Sequence, residues 1–76
     1  MKNLNMEKFK MTDLEKAQKL LTAKLMPLNV VSQKSKISYD TIRQYASHPE
    51  RLEKASWKKV YTLALIYDDL VSELAK

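Results

Sequence analysis

Apolar residues at Leu14, Ala17, Leu21 and Leu25 recur every three or four positions, with Leu20 beside them, and this spacing predicts an amphipathic helix to about residue 25. Thr12 and Glu15 stand three apart at its start, the arrangement of a reciprocal capping box. Ahead of it, Leu4, Met6, Phe9 and Met11 alternate imperfectly with polar residues. A short strand, a packed arm or a frayed end all fit residues 1–11, which are set apart from a single domain over residues 12–76.

Pro27 either ends the first helix or starts the second, since its fixed φ suits a first helical turn. Two short helical patterns follow, about Leu28 to Ser35 and Tyr39 to Ser47, and meet at a tight Lys36-Ile37-Ser38 corner. Val31 and Ile42 are placed to pack them together, Ile37 plugs the corner, and Ser32 is small enough to let the helices approach. Ser38 can cap the second of the pair by accepting from its free N–H groups. His48-Pro49 breaks the pattern, because the residue before Pro avoids helical ψ. Pro49 to Ala55 reads as one or two turns with Leu52 facing in.

From a cap at Ser56 a last helix is expected to run to about Ala75. Its apolar set is Trp57, Val60, Tyr61, Leu63, Ala64, Leu65, Ile66, Tyr67, Leu70, Val71 and Leu74, too wide for one core-facing stripe of about 100°. Part of it is expected to pack the core and part to meet another subunit. An outer stripe of Ile66, Leu70 and Leu74 is the expected dimer seam. The chain therefore reads as all-α, a bundle of about five helices.

Residues 31–45, Val-Ser-Gln-Lys-Ser-Lys-Ile-Ser-Tyr-Asp-Thr-Ile-Arg-Gln-Tyr, have the layout of a helix-turn-helix, whose second helix can enter a DNA major groove. The stretch resembles the lambda-repressor/Cro-like (XRE) family, whose members carry Leu-Ala-x-x-Ser-Gly-Ile-Ser-x-x-Thr-Ile-x-x-Tyr. The likeness extends over about residues 13–68, with the helix-turn-helix at about 28–47. Two positions depart from the pattern. Lys36 stands where the family usually has a Gly at positive φ, which costs on the order of 1 kcal/mol. Ser32 stands for the usual Ala. The resemblance implies a transcriptional regulator, often of a phage or mobile-element operon and of its own promoter, bound as a homodimer to an inverted repeat.

It also implies roles for particular residues. The outward edge of the second helix of the pair would be Ser38, Tyr39, Asp40, Arg43 and Gln44, with Ser47 at its end. Arg43 can bond a guanine edge with two donors, Gln44 can match adenine, and Tyr39 can meet a thymine methyl or a phosphate. Asp40 repels phosphates but can accept from cytosine or orient Arg43. Asn29 and Gln33 would meet the sugar-phosphate backbone, joined by Lys34, Lys36, Ser47, Arg51, Lys54, Lys58 and Lys59. Such contacts position a domain more than they read sequence.

Charge agrees with that picture. The net charge is +5, distributed as +3 over residues 1–26, +4 over 27–60 and −2 over 61–76. A basic middle suits a polyanionic partner. The 76 residues hold no Cys and no Gly. This excludes disulfides, Cys metal sites and the glycine-rich phosphate loops. His48 has no second ligand, Asp68 and Asp69 are adjacent and so diverge on a helix, and Met6, Met11 and Met26 read as gap-fillers, as do Trp57 and Tyr61 as core or interface. No nucleophile is set beside a base, so no enzyme, metal or cofactor is expected. No apolar run reaches signal-peptide or membrane-span length, and a cytoplasmic protein of a bacterium or phage is the expectation. The rival is a protein-binding module on the same scaffold, an antitoxin or a nuclease or defence inhibitor, because fold does not fix function. Asp40, Glu50 and Glu53 leave room for it.

Overall fold

A computed structural model describes residues 11–74, and the expectations for residues 1–10 lie outside it. The described chain is all-α: α1 (Asp13–Thr22), α2 (Leu28–Ser35), α3 (Tyr39–Ser47), a 3-10 helix (Pro49–Lys54) and α4 (Trp57–Leu74). α1 lies chiefly against α4 and also meets α3 and the 3-10 helix, while α2 packs on α3 and α4. Ala17, Leu20 and Leu21 of α1 join Val31, Ile37, Ile42, Tyr45, Leu52, Leu63 and Ile66 in one core. Each fully buried Leu or Ile contributes about 1.5–3 kcal/mol. So small a domain depends on nearly all of them.

The helix starts follow their caps. The Thr12 amide donates to Glu15 Oε1 at 2.9 Å, and the Glu15 amide donates to Thr12 Oγ1 at 3.1 Å, completing the capping box. Pro27 sits one place before α2, and its carbonyl accepts from the Val30 and Val31 amides at 3.0 Å. Pro27 thus opens the second helix rather than closing the first. Ser56 Oγ accepts from the Lys59 amide at 3.4 Å at the start of α4.

α1 is shorter than its apolar spacing suggests. It stops at Thr22, with Ala23 as the last right-handed residue and Lys24 turned to φ 53°. Leu25 is consequently outside the helix and 36% exposed, not part of the core stripe. The left-handed turn at Lys24 ends the helix before Pro27 is reached. Lys16 Nζ, near the middle of α1, pairs with Asp68 Oδ1 of α4 at 2.9 Å. The Tyr67 hydroxyl donates to Met11 Sδ at 3.5 Å, fixing where the chain enters α1.

The two helices around residue 36 meet as their residues require. Lys36 adopts φ 62°, ψ 22°, the left-handed region that Gly enters at lower cost, and its amide donates to Ser32 O at 2.9 Å. Three serines hold this glycine-free corner. Ser32 Oγ donates to Ile37 O at 2.6 Å, the Ile37 amide donates to Ser35 Oγ at 3.2 Å, and Ser38 Oγ accepts from the Thr41 amide at 3.3 Å. Val31 and Ile42 are fully buried, and Ile37 nearly so.

The expected seam on α4 is corrected. Ile66 is buried in the core, Leu70 is half-buried against it and Leu74 is 73% exposed, so the three do not form one exposed stripe. At about 1.5 Å per residue α4 is nearly twice as long as α1, and its last turn extends past the partner that covers its middle. Trp57, expected in the core or an interface, is 71% exposed.

Candidate nucleic-acid interface

α3 is held by two buried residues, Ile42 and Tyr45, which turn its opposite edge to solvent. Ser38, Tyr39, Asp40, Arg43, Gln44 and Ser47 are all exposed, so the residues singled out on this helix share one accessible edge. Thr41 is half-buried beside the corner, its Oγ1 accepting from the Ser38 hydroxyl at 2.9 Å. Asp40 lies in the first turn, where a carboxylate favours the helix dipole. It forms no ion pair with Arg43 among the described residues, so its expected orienting role is not seen.

Gln44 is instead oriented from outside α3. Arg51 Nη1, on the 3-10 helix, donates to Gln44 Oε1 at 3.2 Å. This places a guanidinium next to the exposed edge, and the Gln44 amide hydrogens have no partner among the described residues. Sequence spacing offers no sign of the link, because the two residues are seven apart across the break at His48-Pro49. The 3-10 helix is itself anchored on α1, where Gln18 Nε2 donates to Pro49 O at 3.0 Å in a partly buried contact.

The candidate phosphate contacts are not one cluster. Asn29, Gln33 and Lys36 are exposed on α2 and the corner, and Arg51, Lys54, Lys58 and Lys59 follow α3 along the chain. Lys34 lines a groove of about 360 Å³ together with Met26, Ile66, Asp69, Leu70 and Glu73. Lys34 therefore lies on the α2–α4 side, in a groove that Asp69 and Glu73 also line.

A depression of about 590 Å³ flanks α3, walled by Leu25, Met26, Pro27, Leu28, Arg43 and Ala46 among others. Sequence reading missed it. The signal was present in Leu25, an apolar residue stranded before Pro27. His48 faces Glu50 across 3.6 Å on the surface and is gathered with no other ligand type. No group of three or more His, Cys, Asp or Glu that could hold a metal occurs among the described residues. None of the described helices is long and apolar enough to cross a membrane.

The chain matches no protein-family model, no curated protein and no solved structure.

Proposed function

We propose that this protein is a sequence-specific DNA-binding regulator, a small Cro-like repressor in which α2 and α3 form the helix-turn-helix and α3 enters the major groove. The observation that carries the reading is the exposed edge of α3. Tyr39, Arg43 and Gln44 face solvent on a helix whose inner face, Ile42 and Tyr45, is locked into the core. A rigidly presented helix lowers the ordering cost of placing side chains against base edges. Arg43 is the main base reader, with two donors for a guanine edge. Cations on Arg51, Lys54 and Lys59 would meet the phosphates, and the basic middle of the chain would supply the salt-dependent part of the affinity. One domain of this size reads few bases, so a two-fold dimer on an inverted repeat is part of the proposal.

Asp40 favours a second reading. Its exposed carboxylate, without an ion pair among the described residues, would lie near phosphates in the first reading and could equally meet a basic protein surface. Fluorescence anisotropy with the gene's own upstream DNA and a scrambled duplex, at two salt concentrations, separates the two. Tighter binding to the upstream duplex that survives higher salt supports the repressor. Equal, salt-sensitive binding to both duplexes moves the search to a protein partner.

A further inference from the structure

We propose that Trp57, Tyr61 and Leu65 form a self-association surface on which a second copy of this chain docks with its α4 antiparallel to the first. The inference rests on the two-fold dimer of the proposed function and names its surface; self-association is measured without DNA, so its failure is distinct from a failure of DNA binding. The three residues recur every four positions, so they form one stripe along α4. They are 71%, 46% and 46% exposed, while Leu63, Ala64 and Ile66 of the same helix are buried. Trp57 and Tyr61 already pack on each other, with ring centroids 6.2 Å apart and planes tilted 51°. That contact leaves little side-chain freedom to lose on docking, and aromatic anchors of this kind dominate interface energetics.

Charge identifies the occupant as another copy. Lys58 and Asp69 are both exposed and have no ion-pair partner among the described residues; Asp68, next to Asp69, is already taken by Lys16. At 3.6 residues per turn, Lys58 and Asp69 lie about 20° apart on the helix wheel, on the same flank of the stripe and roughly three turns from each other. In an antiparallel pair of helices, like flanks face each other. A two-fold axis at the level of Leu63 sets Tyr61 of one copy against Leu65 of the other. The same axis brings Lys58 of each copy towards Asp69 of the other. The surface is thus complementary to itself, as an isologous interface requires. It reassigns Lys58 from the phosphate set to the interface. One helix face covers less than the usual area of about 800 Å² per partner, so the dimer should be weak and concentration-dependent.

The test uses the full chain and its single Trp. Sedimentation equilibrium and Trp emission are followed together from about 1 to about 500 µM, the range that spans micromolar association. The expected result is a monomer-to-dimer transition with a parallel blue shift as Trp57 leaves water. Tyr61→Glu, at an exposed position, should weaken the dimer at least tenfold with an unchanged circular-dichroism spectrum. Lys58→Glu and Asp69→Lys should each weaken it roughly three- to tenfold, and the double reversal should restore it. A monomer throughout with constant emission would overturn the proposal, giving the stripe to residues 1–10 of the same chain or to a different protein. So would a dimer that neither Tyr61→Glu nor the charge reversals affect.

Discussion

Ser32 Oγ donates to the Ile37 carbonyl at 2.6 Å, joining the last turns of α2 to the residue that plugs the corner before α3. A small residue suffices to let the helices approach. The hydroxyl adds a bond to a partly buried carbonyl, and losing it leaves that acceptor unsatisfied. Ser32→Ala should therefore lower stability by about 1 kcal/mol, measured by urea denaturation.

Lys36 and Lys24 both occupy positive φ, at 62° and 53°. Glycine relieves the steric strain of about 1–2 kcal/mol at such a position but widens the unfolded ensemble, which takes back about 0.4–1 kcal/mol. Lys36→Gly should thus raise stability by about 0 to 1.6 kcal/mol, whereas Lys36→Val should lower it. Thermal melts of the two variants check the sign.

Lys16 binds Asp68 in a partly exposed pair, and the hydrogen bond to Asp68 is the main cause of a lysine pKa above its ordinary value. The folded state therefore holds the Lys16 proton more tightly than the unfolded state. The pair's contribution is fully present below the ordinary lysine value and is lost as pH rises through the raised one. Stability of Lys16→Met relative to the native chain should be level from neutral to mildly basic pH and converge on the native value in strong base, as followed by urea midpoints. A gap that widened there would contradict the assignment.

Arg51 and Gln44 act as a pair in the proposed DNA reading. With Oε1 engaged by Arg51, Gln44 presents mainly its amide donors, which match acceptors such as guanine O6 or thymine O4 better than adenine's donor-acceptor edge. Arg51→Ala should shift the preferred base opposite Gln44 towards adenine, beyond a loss of affinity. Selection from a randomised operator reads this out. Arg43→Ala should cost about 1–3 kcal/mol on the native site.

Much of the helical layout was legible because local chemistry decides it. Thr12, Ser38 and Ser56 mark helix starts, whereas Pro27 could have closed one helix or opened the next; the bounds of α2, α3 and the Pro49–Lys54 turn follow closely from the residues themselves. Positive φ at Lys36 was not settled by the sequence: the pattern usually carries a Gly there, and only the structure shows that Lys takes the same left-handed conformation. The stop of α1 was not legible either, because Lys24 turns left-handed with no glycine to announce it. Ile66 and Leu70 defeated periodicity for a different reason. Apolar residues surround most of α4, and only the placement of α1 and α2 decides which of them is inside. On α3 the accessible edge was readable from Ile42 and Tyr45, but the Arg51 contact depends on tertiary placement.

Gln18 reaches across 31 positions of sequence to bond the Pro49 carbonyl at the start of the 3-10 helix. A surface segment of six residues would ordinarily open by itself, at little cost, many times before the domain unfolds. Tethered to the middle of α1, and with Leu52 in the core, it becomes part of the same cooperative unit. Amide exchange there should follow global unfolding, and the cations it carries, Arg51 and Lys54, stand on ground as firm as the helices.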